Sequence, residues 1–142
     1  MAALAAARNT ARVGLGIPQQ TSYKIADNVK IYPGALVMLT GGYAAPAVAG
    51  ASVIVVGRYA GSTTADNTVT GHAAGNFSVA VDHGDFWWDN TSGDLVVQAD
   101  VGAACYIGDD HSVCHTNTTN SAAGKVVAID SVLGVLVRTI PL

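Results

Sequence analysis

From Tyr23 to Thr139 the chain is written in short runs of β-branched and aromatic residues, each closed off by Gly, Pro, Asp, Asn or similar turn formers. The runs cover residues 23–26, 35–39, 52–59, 77–81, 85–88, 95–98, 103–107, 112–115, 125–129 and 132–139. Runs this short lack the length of an amphipathic helix, and their regular spacing is that of an all-β domain. The punctuation agrees. Tyr32-Pro33-Gly34 precedes the run at 35–39 and Thr40-Gly41-Gly42 follows it, while Asp89-Asn90-Thr91-Ser92-Gly93-Asp94 joins 85–88 to 95–98 and predicts a hairpin. Charged residues make up 12% of the chain and every acidic one is Asp, a turn former and a poor helix former. Half of the 142 residues are hydrophobic, and a chain of this size buries roughly two-thirds of its surface on folding. The expectation is a compact β-barrel or β-sandwich.

Upstream the text changes. Residues 1–18 (MAALAAARNTARVGLGIP) carry Arg8 and Arg12 and no carboxylate, and Gly14, Gly16 and Pro18 make helix continuation costly. The division expected is an extended N-terminal arm over 1–18 and a single β-domain over 19–142. Six alanines and two arginines bury too little apolar surface to offset the entropy of ordering the arm, about 1–2 kcal/mol per residue for the backbone. Order must come from a partner, which makes Arg8 and Arg12 candidate partner-binding residues. The arm has no continuous apolar h-region, so a cleaved secretion signal is not expected. Two cysteines are too few for a disulfide scaffold and fit a reducing compartment such as bacterial cytoplasm. No run approaches the roughly 20 apolar residues of a membrane helix. The net charge of −3 divides as +3 over residues 1–81 and −6 over 82–142. That balance lacks the footprint of a polyanion binder, so neither nucleic acid nor membrane is an expected partner.

Candidate chemistry is sparse. Cys105, His111, Cys114 and His115 are zinc-type ligands within a dozen residues. A hairpin turning at Gly108-Asp109-Asp110-His111 would set Ile107 against Ser112, Tyr106 against Val113 and Cys105 against Cys114. His115 would then lie on the other face and His111 in the turn, so the four do not converge. The simpler reading is two small buried thiols side by side, with no metal. Asp82, Asp85, Asp89 and Asp94 flank the tryptophans, but without the order of a calcium loop or a Glu to ligate in bidentate fashion. Trp87 and Trp88 are adjacent, so a strand sends one to the core and presents the other at the surface. An exposed Trp beside Tyr59 or Tyr43 would suit a sugar platform, and equally a subunit contact; both tryptophans are candidate partner-binding residues. There is no G-x-S-x-G elbow and no phosphate-binding glycine loop, and His72 and His83 read as loop residues. Neither an enzyme nor a cofactor is expected.

Four segments, taken in order, resemble a known family: Phe86-Trp87-Trp88-Asp89-Asn90; Gly102-Ala103-Ala104-Cys105-Tyr106-Ile107-Gly108-Asp109-Asp110-His111-Ser112-Val113; Ala123-Gly124-Lys125-Val126-Val127-Ala128-Ile129-Asp130; and Gly134-Val135-Leu136-Val137. With the Pro33-Gly34 turn they resemble, over about residues 29–140, the head decoration (capsid cement) proteins of tailed bacteriophages. The resemblance implies a compact β-body on the outer surface of an assembled virion head, stabilising it by bridging copies of the major capsid protein. It brings no catalytic residues. Such proteins commonly use threefold positions of icosahedral heads, so a homotrimer is expected. The alternative from a different class is a carbohydrate-binding β-module on a virion surface, using Trp87 or Trp88.

Overall fold

A computed structural model describes residues 19–50, 52–69, 71–116 and 120–139. The chain runs β1 Gln20–Lys24, β2 Lys30–Ile31, β3 Leu36–Thr40, β4 Tyr43–Pro46, β5 Ile54–Tyr59, β6 Ala65–Asp66, β7 Ser78–Asp82, β8 Gly84–Asn90, β9 Ala104–Ile107, β10 Ser112–Cys114, β11 Ala122–Asp130 and β12 Gly134–Thr139. A 3-10 turn at Gln98–Asp100 interrupts the strands. The protein is all-β, as its punctuated runs require. Among the described residues no helix is long and apolar enough to cross a membrane. The arm expected over 1–18 lies outside the described residues.

Two units share the chain. One is an antiparallel sheet in the order β1-β7-β5-β3-β4, curled so far that its two edges touch. Ile25, just past β1, bridges in parallel to Ala44 of β4, and the Ala26 N–H donates to the Ala44 carbonyl at 2.8 Å. The other unit is a closed barrel in the order β10-β8-β12-β11-β9. β2 and β6 form a separate two-stranded ladder beside the curled sheet.

The seam between the units explains the most apolar strand. Leu36, Val37 and Met38 of β3 are all buried. Val37 packs inside the curl with Ile25, Ile31, Val56 and Val81. Leu36 and Met38 point the other way, into a cluster built with Trp88, Ile107, Val113, Val126 and Val137 of the barrel. A strand covered on both faces has no use for alternation. Gly57, in β5, sits where the β3–β5 register shifts, and its φ of +151° suits glycine. A Cβ there would run into the Asp82 carbonyl of β7.

The run at 95–98 departs from expectation. It forms no strand, and the hairpin predicted across residues 89–94 does not exist. β8 instead pairs antiparallel with β12 on one side and parallel with β10 on the other, leaving no edge for a third partner. Val96 is tethered by a side chain: Asn90 Nδ2 donates to the Val96 carbonyl and the Val96 N–H donates to Asn90 Oδ1, both at 2.8 Å. The amide reproduces a ladder rung without a strand.

Candidate outward face of strand β8

β8 and β12 run antiparallel, with Asp85 opposite Arg138, Trp87 opposite Leu136 and Trp88 opposite Val135. Alternation along β8 leaves Asp85, Trp87 and Asp89 exposed. Trp88 turns into the core, 4% exposed, and meets Phe86 edge-to-face at 6.2 Å; Trp87 is 40% exposed. The adjacent pair thus divides between core and surface. Among the described residues the buried Trp88 indole N–H has no hydrogen-bond partner, a desolvation cost of about 1–3 kcal/mol that its apolar packing must offset.

The outward face is bounded by charge. At the β8 start, Arg138 donates from Nε and Nη2 to the two Asp85 oxygens at 2.8 and 2.9 Å. Nearby, Arg58 lies 4.6 Å over the Phe86 ring and 3.1 Å from Asp82. At the far end Asp89 borders an open depression of about 530 Å³, lined also by Asn90, Leu95, Ile129, Asp130 and Val132. The turn after β11 is held rigidly there. One Asp130 oxygen accepts the N–H groups of Val132 and Leu133 at 2.8 and 2.7 Å, leaving both apolar side chains in solvent. Gly134 ends the turn at φ +101°, where a Cβ would collide with the Trp88 carbonyl.

The carboxylates near the tryptophans are mostly engaged. Gln20 holds Asp82 below the usual carboxylate range, with help from Arg58; Arg138 does the same for Asp85, and Thr116 for Asp94. A general acid needs the opposite shift. Asp89 stands apart: among the described residues it is the one carboxylate that accepts no hydrogen bond. Sequence reasoning treated the four carboxylates alike, because only the tertiary partners separate them.

The cysteines do not face each other. Asp109 accepts the His111 N–H at 2.9 Å and the Ser112 hydroxyl at 2.8 Å, and the N–H groups of Gly108 and Asp109 both donate to the Ser112 carbonyl. This carboxylate-centred loop takes in one more residue than the expected turn. Val113 therefore faces Ile107, Cys114 faces Tyr106, and Cys105 pairs with Gly124 of β11. Burial pushes the Cys105 thiol up to about 12 and raises that of Cys114 as well. Thiols held neutral are weak nucleophiles and poor metal ligands. His115 binds Asp100 at 2.9 Å, whereas His111 lies 3.0 Å from both Asp109 and Asp110, so the two cysteines and two histidines do not form one ligand set. Among the described residues the grouping that does converge is Asp109, Asp110 and His111, with ligand atoms within 4.8 Å of one another.

Tyr59 takes no part in a surface platform with Trp87. It is buried in the curled sheet, its hydroxyl donating to the Thr63 carbonyl at 2.9 Å. Tyr43 is partly exposed, but on β4, across the other unit. Arg8 and Arg12 lie outside the described residues. Comparison with known proteins supplies no relative, for no family model, curated protein or solved structure matches this chain.

Proposed function

We propose that this chain is a structural virion protein that binds the outside of an assembled phage head and stabilises contacts between major capsid protein subunits, acting as a homotrimer. The observation that carries the reading is Trp87, a large ring 40% exposed on a strand face that pairs on both sides. Tryptophan and arginine are the residues that most often dominate binding energy at protein contacts, and Arg138 stands on the same face. The engaged carboxylates and neutral thiols nearby serve adhesion better than acid–base or nucleophilic chemistry. The resemblance of the β8, β9 to β10 and β11 to β12 segments to decoration proteins supports the same reading. Three copies linked through a symmetric contact would turn a modest individual affinity into strong attachment.

The experiment is occupancy on purified heads stripped of this protein. Wild type should saturate them, and Trp87→Ala should weaken binding by roughly ten- to a hundredfold, the usual range for a central aromatic anchor. Undiminished occupancy by the variant would remove Trp87 from the contact. A flat exposed indole also stacks on sugars, so the second reading is a carbohydrate-binding module. Saturable glycan binding lost with Trp87→Ala, and no attachment to heads, would favour it.

A further inference from the structure

Two surface features of the described chain are complementary, and they sit at opposite ends of β3. The first is the depression at the end of β8. Asp89, the carboxylate left without a hydrogen bond among the described residues, borders it together with the exposed aliphatic side chains of Leu95 and Val132. Asp130 fixes the Val132 turn through two backbone N–H groups, so this apolar surface is held in place. An anion flanked by aliphatic groups suits a cation carried beside an apolar side chain.

The second feature belongs to the curled sheet. Among the described residues Lys30, Arg58 and Arg138 pair with Asp66, Asp82 and Asp85, whereas Lys24 and Lys125 are in no ion pair. Lys24 is exposed at the end of β1, and the parallel bridge from Ile25 to Ala44 sets it beside the partly exposed Tyr43. Both border Gly75, where a Cβ would lie 3.5 Å from the Tyr43 ring and 3.7 Å from the Lys24 stem. A free ammonium thus stands next to an aromatic ring. Lys125 stands instead opposite Arg138, cation beside cation.

β3 separates the two features. At its start the Leu36 N–H donates to the Asp110 carbonyl, next to His111, whose own carbonyl accepts the Asp89 N–H; at its end Thr40 faces Tyr43. Four strand steps, about 13 Å, divide those ends. We propose that the depression at the end of β8 receives Lys24 and Tyr43 of a second copy of this chain, the ammonium pairing with Asp89 and the ring lying against Leu95 and Val132. Such a contact joins two different patches, so it runs head to tail and closes into a ring of copies. It rests on the reading of the chain as a homotrimer and supplies the surfaces that reading leaves unassigned.

The test is sedimentation velocity on the full chain over a concentration series. Wild type should assemble to three times the protomer mass. Lys24→Glu and Asp89→Lys each set like charges together and should each raise the concentration at half-assembly by about tenfold or more; Tyr43→Ala should raise it by about the same factor. Combining Lys24→Glu with Asp89→Lys should return it to within about threefold of wild type, a recovery that misfolding cannot mimic. Lys125→Glu changes the net charge as much as Lys24→Glu and should leave assembly unaltered. Undiminished assembly of either single reversal, or a double reversal no better than the singles, would overturn the contact and leave the homotrimer standing. A wild type that stays monomeric at every concentration would overturn both. Reduced head occupancy of Asp89→Lys with assembly intact would assign the depression to coat protein and overturn the contact as well.

Discussion

Strands β3 and β8 are both rich in large apolar residues, yet they meet opposite surroundings. β3 lies between the curled sheet and the barrel, so Leu36, Val37 and Met38 are all buried. β8 has one face in the barrel and one in solvent, so Trp88 is buried while Trp87 is not. The difference separates two uses of apolar surface. Where both faces are covered, substitution should cost stability; where one is open, the outward residues are free to serve recognition.

The largest expected effect lies on β3. Leu36→Ala opens a hole at the seam between the two units and should cost about 2–5 kcal/mol, since neighbours from two sheets cannot both relax into it. Chemical denaturation reads this directly. A cost below about 1 kcal/mol would mean that the seam is loosely packed and that the contrast with β8 is weaker than drawn. Next comes Gly134, which lets β12 start beneath the Trp88 carbonyl at a φ that side chains rarely adopt. Gly134→Ala should cost roughly 1–3 kcal/mol from strain and collision together. A thermal melt unchanged by the substitution would show that the turn can shift away from β8.

Much of this contrast is legible before folding. The unbroken apolar run at 35–39 is what a doubly covered strand needs, and neighbouring tryptophans must part to opposite faces on any strand. Other features are not legible because they arise from distant partners. Tyr43-Ala44-Ala45-Pro46 has little β propensity, and becomes a strand because β3 offers it a ladder. The residues at 95–98 have the propensity but no free edge to join. The cysteine register slipped by one because the Asp109 carboxylate gathers the His111 N–H and the Ser112 hydroxyl, which spacing alone does not reveal. Asp89 looks like any turn aspartate until the other carboxylates are seen to be engaged.

On the open side of β8, stability and binding should come apart. Trp87→Ala should shift unfolding free energy by no more than about 0.5 kcal/mol, as surface substitutions do, while lowering head occupancy. Parallel denaturation and binding curves check it. A stability loss near that of Leu36→Ala would show that Trp87 is a core residue in disguise and would erase the contrast.

The smallest effect expected is a pH dependence at the loop that ties the two strands together. The Asp110 carbonyl accepts the Leu36 N–H at 2.8 Å, and the His111 carbonyl accepts the Asp89 N–H at 2.9 Å, so residues 108–112 touch the start of β3 and the end of β8. The hydrogen bond that the His111 ring makes to the Asp110 carboxylate raises the His111 pKa above its ordinary 6.5, against desolvation by burial and with help from the charges of Asp109, Asp110 and Asp89. A folded-state pKa above the unfolded one means that the folded chain holds the proton more tightly. The resulting stability is fully present below 6.5 and is lost as pH rises through the higher folded value. The imidazole is 65% exposed, so solvent and salt screen the contribution. Melting temperature should therefore fall slightly as pH rises from just below 6.5 toward 8, and the fall should shrink in His111→Gln and at high salt. The acidic limb should behave differently: Asp82 and Asp85 have lowered values, so their stabilisation is present above the ordinary 3.8 and disappears only as pH falls below it. A wild-type melt that stays flat above 6.5, or one whose slope survives His111→Gln unchanged, would detach this loop from the coupling between β3 and β8 and leave the packed seam as their connection.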